Sequence, residues 1–176
     1  ACLRGALWQS SLELLSLSAN PDELTFGCAA LALAAQGGPS ATAQAQAIAL
    51  YREACDRGVL SHWSTSHAGV VDLHRLPVEV AKLAVCTVLL DTLTGVGPSG
   101  SSAGAGDLKI VVGRGNHSEG GLAKVGPAVV EFLRDELGLP VRQAPHGAGA
   151  LHIPGALLVP FEGLRSWMND RRNDCE

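Results

Sequence analysis

The chain has 176 residues, 47% of them apolar and 17% charged, with a net charge of -4. That is enough apolar material for one or two small cored domains. The apolar stretches are too short and too interrupted for a membrane span, so no membrane association is expected. An acidic balance argues against a large electrostatic footprint for nucleic acid and leaves room only for a local one.

The first residue is Ala1 rather than methionine, as expected of a fragment or a processed chain, and Arg4, Gln9 and Glu13 interrupt any signal-peptide pattern over Ala1 to Leu17. The five cysteines, Cys2, Cys28, Cys55, Cys86 and Cys175, are scattered without a C-x-x-C pair. An odd count with no framework reads as reduced thiols, mostly small core residues.

In chain order, residues 1–60 read as helical. Leu3, Leu7, Leu12, Leu14, Leu15 and Leu17 are spaced for one helix face, broken at Asn20-Pro21-Asp22. A second helix is predicted over Glu23 to Ala35 and a third over Ala41 to Arg57, with Gly58 as its C-terminal cap. Helix, turn, helix at this spacing is the pattern of an α-hairpin repeat. Ser61 to His67 is short and polar and marks a domain boundary.

The pattern then changes. Gly69 to His74 reads as a strand. Pro77 and Glu79 open a helix whose stripe is Val80, Leu83, Ala84, Val88 and Leu89. Thr94 to Gly106 reads as a flexible surface loop, and Leu108 to Val112 as a second buried strand. After the glycine-rich turn Gly113 to Gly121, a helix is predicted from Pro127 with Val125, Val129, Phe132, Leu133 and Leu137 as its stripe, stopped by Gly138 and Pro140. Short strands follow at Val141 to Gln143 and at Leu151 to Ile153, the latter continuing to Leu157 to Val159. The tail, 161–176, reads as a short docked helix. The order βαβαββ predicts a two-layer α/β sandwich over residues 68–160 whose first two strands are parallel.

In that arrangement Asp72 and His74, two apart on one strand, point to the same face, and Val71 and Leu73 to the other. The loop from Gly113 to Ser118 follows the neighbouring strand, so both strand tips lie along the edge where α/β proteins usually bind ligands. The chemistry points to a phosphate site. Gly113 and Gly115 let backbone N–H groups approach an anion, Arg114 can grip a phosphate bidentately, and the helix near Pro127 adds its positive end. His74 or His117 can move a proton near neutral pH, with Asp72 orienting His74 or acting as base. Taken singly, D-x-H on a strand and G-x-G in a turn are ordinary structural features. His146 and His152 read as surface or packing residues. The sequence shows no metal site; Asp72, a single carboxylate, could bind a Mg²⁺ ion only together with substrate phosphates.

The joint pattern is more specific. Val71-Asp72-Leu73-His74, Pro77 to Ala81, Ile110 to Ser118, Gly121 to Val129 and Gly147 to Leu151 together resemble an Smr (small MutS-related) domain, over roughly Val70 to Val159. The resemblance implies a fold like the C-terminal domain of translation initiation factor 3 and a nucleic-acid module that cleaves or binds. The family's D-L-H-G falls on Asp72, Leu73 and His74, with Arg75 in place of the glycine. Its T-G-x-G falls on Gly113, Arg114 and Gly115, with Val112 in place of the threonine. By this resemblance Asp72, His74 and Arg114 are the candidate catalytic residues. Gly113, Gly115, Asn116, His117, Arg75 and Lys124 are the candidate nucleic-acid contacts.

The N-terminal helices resemble a pentatricopeptide repeat through Trp8 to Leu17, Asn20-Pro21-Asp22-Glu23-Leu24-Thr25-Phe26 and Ala47 to Val59. Gly27 stands where such repeats place a base-reading side chain, so this segment is expected to buttress rather than read. Repeats joined to an Smr domain are similar to organelle RNA-processing proteins of plants and algae. The resemblance therefore implies an RNA-processing endonuclease, in the chloroplast or alternatively the mitochondrion or cytoplasm. A non-catalytic adaptor for RNA, a ribosome or a gene-expression complex is the second reading, and a DNA-nicking enzyme the third.

Overall fold

The computed structural model describes residues 8–18, 21–35, 41–65, 67, 69–94, 107–114, 123–143 and 149–155. Its described part forms two compact units that divide between Ser61 and His62.

The first unit is helical: α1 (Trp8–Leu17), α2 (Glu23–Ala35) and α3 (Ala41–Asp56), with α2 packed against both of the others. Asp22 starts α2. Its Oδ1 accepts the Thr25 backbone N–H at 2.8 Å and the Thr25 hydroxyl at 2.6 Å, satisfying a donor that the first helical turn leaves orphaned. The core is built from Phe26, Ala29, Ala30 and Leu33 of α2 and Ala47, Ile48, Tyr51 and Ala54 of α3. Burial, with Cys55 beside it, pushes the Tyr51 phenol well above its ordinary range. Gly58, at φ 69°, ends α3 as the sequence predicts. Its N–H reaches Cys55 O at 2.9 Å while Val59 N–H reaches Ala54 O at 2.9 Å, the paired bonds of a Schellman cap.

The second unit is α/β. Its elements run β1 (Val70–Asp72), α4 (Val78–Thr94), β2 (Leu108–Val111), α5 (Val125–Glu131), β3 (Arg142–Gln143) and β4 (Ala150–Ile153). The sheet order is β1-β2-β4-β3. β1 and β2 are parallel, as the crossover pattern predicts, and β4 is antiparallel to both β2 and β3. Register pairs Val71 with Ile110 and Ile110 with Leu151, all buried on one face with Leu108 and Ile153. The extension predicted at Leu157 to Val159 lies outside the described residues, as do most of the Thr94–Gly106 loop and the tail from 161.

Four local details differ from the sequence reading. β1 stops at Asp72, so His74 lies beyond the strand in a turn. Val80, Ala81, Leu83, Ala84, Val85, Cys86, Thr87, Val88 and Leu89 of α4 are all buried, so the helix is covered on several faces instead of one stripe. α5 begins at Val125, two residues before Pro127. Proline is tolerated there because first-turn N–H groups have no helical partner anyway. The chain then continues into a π-helical turn, Phe132–Glu136, closed by Leu137 N–H to Phe132 O at 3.0 Å. Finally, the polar segment read as a boundary does hold the division between the two units, and its remainder pairs with the sheet edge. Asp72 N–H donates to His62 O and Ser64 N–H to Val70 O, both at 2.8 Å, around a Trp63–Val71 bridge.

Among the described residues, Cys28, Cys55 and Cys86 are in no disulfide, and no helix is long and apolar enough to cross a membrane.

Asp22→Ala removes the cap of α2 while leaving its apolar packing intact. We expect it to cost about 1 kcal/mol, read as a lower midpoint in urea denaturation followed by circular dichroism, with an unchanged slope.

Candidate active site at the sheet rim

Backbone hydrogen bonding continues past the ends of β1 and β2, the first toward β2 and the second toward the start of β4. Leu73 N–H donates to Val111 O at 2.7 Å, and the Gly149 carbonyl, one residue before β4, accepts from Val112 N–H at 2.7 Å and Gly113 N–H at 3.1 Å. Three chain segments, 72–75, 112–114 and 149–150, are thereby drawn together at one rim. Leu73 and Leu76 are buried and anchor the first of them. Asp72 is half-buried, and His74 and Arg75 are exposed.

The contacts at the rim are short. Gly113, at φ 77°, lies directly on His74: a Cβ built there would stand 3.1 Å from His74 Cβ. Gly149, at φ 64°, lies on the Gly113–Arg114 peptide, and a Cβ there would stand 2.7 Å from Gly113 C and O. Only glycine combines a left-handed conformation with that approach. Gly126, in the first turn of α5, likewise lies on Val112, where a Cβ would meet Cγ2 at 3.2 Å. This brings the start of α5 to the end of β2. Exposed Lys124 immediately precedes that turn.

Asp72 and His74 meet although only Asp72 is in the strand. Asp72 Oδ1 lies 2.5 Å from His74 Nδ1 and accepts the His74 backbone N–H at 3.2 Å. On the other side of the ring, Arg75 Nε donates to His74 Nε2 at 3.1 Å. The imidazole is therefore read as the tautomer with its proton on Nδ1, donating to the carboxylate, and with its lone pair on Nε2. A carboxylate that fixes the tautomer and orientation of a histidine, leaving Nε2 as the basic atom, is an arrangement suited to general base chemistry.

Of the predicted site residues, the structure brings Asp72, His74, Arg75, Gly113 and Arg114 to this rim. Arg114 is exposed and, among the described residues, makes no ion pair. Gly115, Asn116 and His117 lie outside the described residues, as does His146. Gly113 acts differently from the sequence reading. Its N–H is spent on Gly149 O, so it does not present a donor to an anion; its contribution is the close approach to His74. The residue that sequence reasoning passed over is Gly149. It stood in the glycine-rich run before Leu151, but its signal, a positive φ packed on another backbone, has no local sequence mark. His152 is half-buried on β4. Among the described residues no group of three or more His, Cys, Asp or Glu side chains is placed to hold a metal ion.

Comparison of the chain with protein-family models, with curated proteins and with solved structures finds no match.

The packing makes a ranked prediction. Gly149→Ala places a methyl group 2.7 Å from the backbone of the Gly113–Arg114 peptide, whereas the nearest atom to a methyl group at Gly113 is His74 Cβ at 3.1 Å, with the His74 backbone at 3.5 Å and beyond. Left-handed strain costs of order 1–3 kcal/mol at either site. We expect Gly149→Ala to lower the thermal midpoint by more than Gly113→Ala, and Gly113→Ala to shift the His74 ring signals in an NMR spectrum. Equal losses would contradict the geometry.

Proposed function

We propose that the chain is an RNA-processing protein whose second unit is an Smr-type domain, resembling the C-terminal domain of translation initiation factor 3, and whose first unit is a pentatricopeptide-like helical hairpin. The rim of the sheet is its site of phosphodiester cleavage. The observation that carries this reading is the Asp72–His74 hydrogen bond at a strand tip, next to the Gly113–Arg114 turn. An oriented base, with an exposed arginine in the adjoining turn, is a set of groups suited to attack of a ribose 2′-OH on its own phosphate.

The reaction follows from those groups. His74 Nε2 takes the proton of the 2′-OH, and the 2′ oxygen forms its bond to phosphorus. The bond to the 5′ oxygen breaks, and that oxygen takes a proton from a water molecule; the hydroxide left behind is neutralised by the proton that His74 Nε2 gives up, which restores the base. The products are a 2′,3′-cyclic phosphate and a free 5′-OH. Arg114 neutralises the charge that builds on the non-bridging oxygens. Asp72 holds the ring and balances the positive charge it acquires. In the free protein Nε2 is occupied by Arg75. A phosphate strengthens its hold on a guanidinium through charge-assisted bonds, so substrate draws Arg75 off the ring and uncovers the base. Arg75, standing where related domains carry glycine, is in this reading the group that couples phosphate binding to base exposure. Lys124, with Asn116 and His117, supplies further contacts to the nucleic acid. The organelle, chloroplast above all, is the proposed setting because it is where such repeat-plus-Smr proteins act.

The test is cleavage of end-labelled single-stranded RNA by the full chain and by His74→Ala and Asp72→Asn, each with and without a chelator. We expect His74→Ala to lose about 100-fold or more in cleavage rate, the usual contribution of a general base, while RNA affinity is kept. RNA with a single 2′-deoxy substitution at the cut position should resist cleavage, and DNA should not be nicked. The chelator arm reports whether a Mg²⁺ ion held by Asp72 and substrate phosphates contributes. Cleavage undiminished in His74→Ala overturns the mechanism; RNA bound by the wild type but never cut replaces cleavage with clamping.

A further inference from the structure

The face of the sheet opposite the buried one carries a row that no part of the rim chemistry uses. Register pairs Lys109 with His152 and His152 with Arg142, and pairs Val70 with Lys109 on the other side. Directly paired residues project from the same face of a sheet, so Lys109, His152 and Arg142 form one line across β2, β4 and β3. Neighbouring members stand about 4.8 Å apart, the spacing of strands. Lys109 and Arg142 are exposed and His152 is half-buried. Among the described residues neither Lys109 nor Arg142 is in an ion pair.

The row is continuous with the site. Asp72 pairs with Val111, and Val111 with Ala150, in the adjacent line of the same face. The basic row therefore begins two residues, roughly 7 Å, below the line that holds Asp72. The strand residues of this face are Val70, Asp72, Lys109, Val111, Ala150, His152 and Arg142. Their one carboxylate is Asp72, already bonded to His74. In a chain of net charge -4 this is a local concentration of positive charge, and the three strands that carry the row, β2, β4 and β3, hold no acidic residue.

We infer that Lys109, His152 and Arg142 form a phosphate track for single-stranded RNA, holding the backbone on one side of the nucleotide at the rim. The inference rests on the RNA reading of the rim and extends it to the basic row on this face of the sheet. The row spans two strand spacings, roughly 10 Å, the breadth of a single backbone rather than of a duplex. Lys109 and Arg142 neutralise phosphates at its two ends, and the His152 ring between them offers hydrogen bonds and a flat surface for a base.

Binding of a labelled single-stranded RNA is measured across a salt series by the full chain carrying His74→Ala, so that the RNA stays intact, with and without Lys109→Ala plus Arg142→Ala. On a single strand each lost phosphate contact lowers the salt slope by about 0.7, so the pair should lower it by about 1.4, with the affinity loss greatest at low salt. Lys109→Arg should preserve the slope, and melting temperatures should be unchanged. An unaltered slope and affinity overturn the track; if His74→Ala still abolishes cleavage in that case, the rim reading stands without it. A loss confined to duplex RNA also overturns the track. Failure of the wild type to bind or cut any RNA overturns both.

Discussion

The rim depends on one carbonyl. Gly149 O accepts the N–H groups of both Val112 and Gly113, so β2 is clamped to the start of β4 where the regular ladder ends. With that clamp in place the Gly113 backbone can lie on His74, and the Gly149 backbone on the Gly113–Arg114 peptide. Each layer is glycine, and each is at positive φ. The stack leaves no room for a side chain, and it fixes the height of the Arg114 turn relative to the Asp72–His74 pair. A side-chain hydrogen bond at an exposed rim contributes about 1 kcal/mol alone; held by a stacked backbone beneath it, it starts from a conformation already paid for in folding entropy.

Much of this second unit is legible from residue order. Leu73, Leu108, Leu151 and Ile153 are flanked by polar or small residues, Val71 and Ile110 each have a valine on one side, and all six are buried. The helix between β1 and β2 forces them parallel, and parallel strands bring their tips to one edge. The Asp72–His74 pairing is legible as well, but by a different route. Alternation along a strand predicts a shared face, whereas the observed contact is made across a turn that β1 has already left. Leu73 explains the agreement. It is fully buried and bonded to Val111 O, so extended alternation persists for one residue beyond the ladder.

What the sequence did not disclose is contact between backbones. No hydropathy pattern marks Gly149 as the residue beneath Gly113, because its role depends on φ and on a partner 36 positions away in the chain. Arg75 over His74 Nε2 is similarly hidden: adjacent side chains in a strand diverge, and the two meet only because the turn replaces the strand there. Burial around α4 was underestimated for a related reason. An apolar stripe identifies the face that must be covered, but small residues such as Ala81 and Cys86 are compatible with either exposure or burial, and tertiary packing decides between them. The π-helical turn after α5 has no sequence signal of its own: its defining bond, Leu137 N–H to Phe132 O, joins backbone groups that every residue carries.

The two borders of the sheet have a consequence for solubility. An open strand border offers unpaired amides and carbonyls to any other chain that approaches, the first step of ordered aggregation. Here β1 is occupied on its outer side by His62–Ser64, which takes the hydrogen bonds that a foreign strand would seek. The other border, β3, is only two residues long, and both Arg142 and Gln143 are polar and exposed. A short, charged border gives an incoming strand little to grip and repels a second copy of itself. The same arginine proposed for the phosphate track thus helps to keep a small sheet from templating fibrils, so variants that neutralise it should be watched for turbidity on concentration.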